Sequence, residues 1–341
     1  MRAAVLREVG APLVLQEMTD PEVGSWDVLV ETRACGICGT DVHIQDGWGY
    51  MPSLPFVMGH EPSGVVAAVG ERVTRFAAGD RVLPNIFFSC GSCFFCRTNG
   101  ETQCIDLGGI LGVAEHWGGY GRLFCVPERQ LFHLPQAISF AEGAVIADAV
   151  VTAVHAVERG GVQAGETVLV MGAGGCGSAV LQVCMMAGAR AVGVDVTRAK
   201  QMRALELGAT EALVAGEVDV PGAARDLTHG LGADCVIDTV GSERTLAESV
   251  ASLRRGGRLV ILGYSQDRYA LDPRQIAINE LEVLGTRSGG RQNTADAIRV
   301  VADPCWKPIV TDILPIEQVN EALKRMRTGQ ALGRIVLVHN D

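Results

Sequence analysis

TVLVMGAGGCGSAVLQVCMMAGARAVGVD, residues 167–195, is the stretch on which the architecture of this chain turns. TVLVM is a short apolar run suited to a buried strand. GAGGCG follows with Gly172, Gly174 and Gly177 in G-x-G-x-x-G spacing and Gly175 between them, and AVLQVCMMAGA continues as a helix. Glycines in that order allow a tight turn and let backbone N–H groups approach a pyrophosphate, whose charge is favoured at a helix N-terminus. In a chain with 42 glycines the spacing alone is weak, and the second strand, AVGVD, supplies the missing context. That strand ends in Asp195, eighteen residues after Gly177, where a carboxylate can accept hydrogen bonds from adenosine ribose hydroxyls and repel a 2′-phosphate. NAD is therefore expected over NADP. Arg198 and Lys200 follow closely, and they read either as a phosphate clamp that softens this preference or as a solvated turn.

Outward from this unit, DCVIDTVG (234–241) and GRLVILG (257–263) read as further strands with helical stretches between them. The alternation predicts an α/β fold with a doubly wound parallel sheet of Rossmann type over about 150–285. Residues 1–149 differ in texture, with short β-type runs such as DVLVET and SGVVAAVG between glycine turns, which predicts a mainly β domain. The 341 residues suit two domains. Lys and Arg number 29 against 39 Asp and Glu, a net charge of −10 with no basic cluster, so neither nucleic acid nor an anionic membrane surface is an expected partner. A small molecule is. No apolar run of the length needed to cross a bilayer and no secretory h-region is evident, and the cytoplasm is the expected location.

Eleven cysteines in so long a chain point to metal rather than to disulfides. Cys90, Cys93, Cys96 and Cys104 stand in CGSCFFCRTNGETQC, four thiols within fifteen residues. Such spacing suits one tetrahedral zinc with four thiolates, and with no position left open the ion is expected to be structural. An iron–sulfur cluster and four incidental cysteines are the alternatives. Upstream, CGICGTDVH (35–43) and GHE (59–61) offer thiolate, imidazole and carboxylate groups of the mixed kind that an open, catalytic zinc site uses. Taken separately, Cys35 and Cys38 could be a redox pair and His60 a core histidine.

Together these motifs resemble, over essentially the full length, the zinc-containing medium-chain dehydrogenases: the alcohol, polyol and threonine dehydrogenases. The resemblance implies that Cys38 and His60 bind the catalytic zinc and that Glu61 lies beside it. It implies a third ligand before the dinucleotide domain, where ADAVVTAVHA places Asp148 four residues before Thr152. Many alcohol dehydrogenases have cysteine there. A carboxylate points instead to the secondary-alcohol and polyol branches, although Asp148 could also be a helix N-cap. Thr40 and His43 match the family's proton relay, against the plainer readings of a helix cap and a surface histidine. Val240, Gly241 and Gly263 would line the cofactor, and Arg334 would meet its pyrophosphate.

The resemblance also implies a GroES-like catalytic domain, 1–149 and 286–341, interrupted by the NAD-binding domain, 150–285, with two zinc ions per subunit. The expected reaction is hydride transfer between an alcohol, secondary in the sense set by Asp148, and NAD, giving a ketone or aldehyde. A polyol, amino-alcohol or threonine dehydrogenase and a non-catalytic dinucleotide-binding protein are the alternatives. By analogy the chain is expected to form a homotetramer, or else a dimer.

Overall fold

The structure is a computed structural model and describes residues 1–339. The chain divides into two compact units, Met1–Val151 with Gly289–Asp341, and Thr152–Ser288. The divisions lie two and three residues later than the boundaries read from composition.

The second unit is built on six parallel strands in the order Glu211–Val214, Arg190–Asp195, Thr167–Met171, Ala233–Asp238, Leu253–Ile261, Glu282–Gly285. Thr167–Met171 lies at the centre, and all five of its residues are buried because a parallel strand flanked by helices has no wet face. The chain runs outward on one side of it and then returns to run outward on the other. This reversal leaves a crevice at the strand ends, which is where open α/β sheets bind ligands. Helix Gly175–Met186 follows the central strand directly, with eight of its residues buried.

The first unit is mainly antiparallel. Its largest sheet runs Leu131–His133, Arg81–Pro84, Glu61–Val69, Asp27–Ile37, Arg334–Val338, Val310–Pro315, with Leu123–Pro127 also paired to Asp27–Ile37. The C-terminal strand therefore closes against a strand formed near the start of the chain, through Ile335 opposite Ile37 and Val336 opposite Gly36. On its other side Asp27–Ile37 sets Gly36 opposite Glu61. Three remote segments thus end side by side.

Helical residues 140–159 include an irregularity. Ser139 caps the start, accepting the Glu142 N–H at 3.2 Å while Glu142 reaches back to it. Phe140–Val145 is α-helical, Ile146–Val150 forms one π-helical turn, and Val151–Arg159 resumes the α-helix. By length and composition alone this stretch could cross a membrane, but 67% of its most apolar part is buried in protein, as for a core helix.

Candidate functional site

Two groups of metal-ligating side chains assemble among the described residues, both in the first unit. The first is Cys90, Cys93, Cys96 and Cys104. Zinc–sulfur bonds of about 2.3 Å in a tetrahedron put sulfurs about 3.8 Å apart. Here Cys90 and Cys96 are separated by 3.8 Å, Cys93 and Cys96 by 3.5 Å, and Cys93 and Cys104 by 4.0 Å. The loop itself provides the scaffold: the N–H groups of Ser92 and Cys93 point at Cys90 Sγ, and that of Cys90 at Cys104 Sγ. The Ser92 and Cys93 bonds hold the Cys90 thiol down to about 6, whereas burial and the neighbouring sulfur of Cys93 push Cys96 up to about 12. Four thiolates this close need a cation among them, and the donor set fits zinc.

The second group is Cys38, His60, Glu61 and Asp148, whose ligand atoms all lie within 4.8 Å of one another. Each comes from a different structural device. Cys38 is the N-cap of helix Gly39–Gln45, and Asp41, three residues on, accepts its backbone N–H at 2.9 Å. His60 and Glu61 sit where the chain enters strand Glu61–Val69. Asp148 lies inside the π turn, whose N-cap is Val145, so its alternative as an N-cap is set aside. His60 Nε2 is 3.6 Å from Asp148 Oδ2 and 4.0 Å from Glu61 Oε1. Its other nitrogen, Nδ1, faces Asp41 Oδ1 at 3.3 Å, the arrangement in which a carboxylate orients an imidazole so that Nε2 is left for an ion. Burial works against the charged imidazole, but Asp41, Asp148 and Cys38 together raise His60 well above its usual range. One thiolate, one oriented imidazole and the Asp148 carboxylate fit zinc with a fourth position to spare, beside which stands the second carboxylate, Glu61.

Glu61 is wholly buried and crosses Gly36, where a Cβ would lie 2.0 Å from its Oε2. Burial raises its carboxyl, the Arg334 guanidinium opposes this, Asp148 reinforces it, and the outcome is about 8. Arg334 had been expected at the pyrophosphate. In the structure it begins the C-terminal strand, buried, with Nε donating to Glu61 Oε2 at 3.0 Å, one terminal nitrogen to Glu61 Oε1, and the same nitrogen 3.3 Å from Asp148 Oδ2. Its partner in sequence is 273 residues away, a pairing made by the strand order and carried by no local motif. Asp41 also went unread, although its i,i+3 relation to Cys38 is a capping signal.

Thr40 and His43 share the helix begun by Cys38. Thr40 is not its cap; its Oγ1 lies 3.9 Å from Cys38 Sγ. His43 is half-buried, its ring 3.7 Å from that of Trp48, and burial lowers its pKa. Cys35, the other half of the redox alternative, is wholly buried in the core, where burial, reinforced by Asp41 and Glu61, raises its thiol well above the usual range and makes it unreactive.

In the second unit Gly172 has φ +88°, and a Cβ there would meet Thr239 Oγ1 at 2.6 Å. A Cβ on Gly177 would fall 1.8 Å from the Gly172 carbonyl oxygen, whereas one on Gly174, the N-cap of the helix beginning at Gly175, would meet nothing within 4 Å. Two of the glycines thus let turn and helix pack, and the third leaves its backbone open to a ligand. Asp195, buried at its strand end, accepts from Ala173 N at 2.8 Å and Val196 N at 2.7 Å. Lys200 lies 3.6 Å from it, while Arg198 is drawn off to Glu217 at 2.6 Å. Gly241 and Gly263 pack backbone to backbone at the neighbouring strand ends, and Val240 beside them is exposed.

Known proteins agree with this geometry. Residues 24–136 match the alcohol dehydrogenase GroES-like domain family, and 175–303 the zinc-binding dehydrogenase family. The chain is 32% identical over 339 residues, 99% of each chain, to an alcohol dehydrogenase of Geobacillus stearothermophilus. It is 30% identical to a sorbitol dehydrogenase of Bacillus subtilis, over 95% of this chain and 93% of that one. The crystal structure of an NAD-dependent alcohol dehydrogenase, 32% identical, superposes with a TM-score of 0.93 over the whole of both chains.

Proposed function

The chain belongs to the zinc-containing medium-chain dehydrogenase family and is an NAD-linked alcohol oxidoreductase, and from that premise we propose that it oxidises secondary alcohols at a zinc held by Cys38, His60 and Asp148. One observation carries the assignment of ligands, the meeting of these donors with Glu61 within 4.8 Å from segments far apart in sequence. When bound, zinc supplies Lewis acidity towards the alcohol oxygen. A carboxylate at Asp148 keeps the formal charge of a thiolate but donates less to the metal, which favours that acidity. Glu61 stands in reserve, its charge balanced by Arg334. Thr40 accepts the substrate proton at Oγ1 as it releases its own hydroxyl proton towards His43, which passes it on; a histidine whose pKa is lowered by burial is neutral near pH 7 and ready to receive it. Cys90, Cys93, Cys96 and Cys104 hold a second, structural zinc.

Gly172, Gly174, Gly175 and Gly177 receive the pyrophosphate, Asp195 the adenosine ribose, and Val240, Gly241 and Gly263 line the remainder. Lys200 tempers the charge of Asp195, so the preference for NAD is moderate. Lys200→Ala should widen the ratio of kcat/KM between NAD and NADP by about three- to tenfold, as for loss of an ion pair worth about 1 kcal/mol, and a narrower ratio overturns that role. A homotetramer in the cytoplasm completes the proposal, with sedimentation velocity and cell fractionation as its measurements.

The test is zinc content together with NAD reduction over primary alcohols, secondary alcohols and polyols. Two zinc ions per chain and the highest kcat/KM on a secondary alcohol are expected; preference for a primary alcohol refutes the substrate assignment. A polyol is the second reading, favoured by the likeness to sorbitol dehydrogenase.

A further inference from the structure

Tyr120 is completely buried, yet its hydroxyl has no partner at full hydrogen-bond geometry. Among the other buried polar atoms in that condition, Asp41 Oδ1 and His60 Nδ1 face each other at 3.3 Å. Asp41 is also the carboxylate that acts most strongly on the Tyr120 phenol. Three unsatisfied groups around one point call for one arrangement that satisfies all of them.

We propose that Tyr120 is a positioning residue for the metal centre: its hydroxyl donates to Asp41 Oδ1, which also accepts the Nδ1 proton of His60. A carboxylate oxygen can take two donors, and Asp41 Oδ2 already accepts the Cys38 N–H at 2.9 Å. Asp41 then touches the scaffold of two ligands, Cys38 by its backbone and His60 by its ring, and Tyr120 fixes Asp41. The imidazole is left with Nε2 towards Asp148 and Glu61, as a ligand nitrogen must be.

The phenol has little freedom to do anything else. Tyr120 N donates to Met58 O at 3.0 Å, and Tyr120 O accepts from Ala4 N at 3.0 Å. Its ring lies against Gly59, the residue before His60; a Cβ there would sit 2.4 Å from Tyr120 Cδ1. Gly59 has φ +93°, so this contact and the backbone turn both require glycine in the GHE motif. Burial raises the Tyr120 phenol well above its usual range, so the hydroxyl keeps its proton to donate.

This inference rests on the reading of Cys38, His60 and Asp148 as ligands, and the experiment separates the two. Zinc release from the intact protein into excess chelator is followed by absorbance, with total zinc counted first. Wild type is expected to release two zinc ions in two phases. Tyr120→Phe, which removes only the hydroxyl, should quicken one phase about tenfold and leave the other unchanged. Asp41→Asn should quicken the same phase, and the double variant should be no faster than Asp41→Asn alone. Wild-type sequence carrying 3-fluorotyrosine, a stronger donor, should slow that phase, a measurement that needs no variant to fold. Unchanged release in Tyr120→Phe, equal acceleration of both phases, or additive effects with Asp41→Asn overturn the role of Tyr120 while the ligand set stands. A wild-type protein holding a single zinc overturns the ligand set itself.

Discussion

The two metal-ligating groups of the first unit use overlapping chemistry in opposite ways. The cysteine group is a short-range object, made within residues 90–104, partly exposed, and organised by N–H groups of its own loop. The group of Cys38, His60, Glu61 and Asp148 has no local existence. A helix cap, a strand entrance and a π turn each contribute to it, and Arg334, from the far end of the chain, ties two of its carboxylates together. The first can form when its loop does, whereas the second waits for the whole sheet to close.

That contrast fixes what each substitution should do. Cys38→Ser should have the largest effect, reducing turnover to background in the NAD assay while NAD binding, followed by fluorescence, survives, because the glycine turn lies in the other unit. Cys93→Ser should act mainly on stability, lowering Tm by about 4–8 °C for a loss of about 2 kcal/mol and exposing the 90–104 loop to proteolysis. Equal loss of structure in both variants would break the contrast.

Glu61→Gln should give the smallest effect, visible only against pH. The folded protein stripped of metal holds the Glu61 proton more tightly than the unfolded chain, about 8 against 4.5. The stability this group contributes is therefore full below about 4.5 and is lost as pH rises towards 8, with a limiting slope of about 1.4 kcal/mol per pH unit. Denaturant titrations of stripped protein should show that slope flattened in Glu61→Gln. Zinc binding runs the other way, strengthening with pH as ligands lose protons, so the gap between loaded and stripped protein should widen with pH. A stripped protein that gains stability over this window would refute the account.

Legibility in the sequence followed the same division. The dinucleotide turn and the cysteine group are both contiguous: spacing alone suggested the chemistry of the cysteines, and the glycine spacing needed only the neighbouring strand, AVGVD, beside it. Cys38 and His60 could be joined only through family resemblance, since nothing in CGICGTDVH or GHE states that the two meet. The tie of Arg334 to Glu61 was not legible because GRIVLV shows a strand but not its neighbour; its guanidinium reaches Glu61 where the pairing of Gly36 with Glu61 and Val336 puts it. Tyr120 in GGYGR carried no signal, because a buried tyrosine is ordinary until its hydroxyl is found without a partner in the core.

The π turn at Ile146–Val150 makes the proposed third ligand depend on counting as well as on chemistry. One residue more than a regular helix needs is accommodated there, a phase slip of about 100° between the residues before it and those after. Deleting Ala147 or Ala149 would leave the aspartate and every other ligand in the gene, yet would let the helix rewind and turn Asp148, or the segment that anchors it, away from His60. Length is thus as heritable a requirement of this centre as composition, and a single-codon deletion could silence the enzyme without touching one ligand.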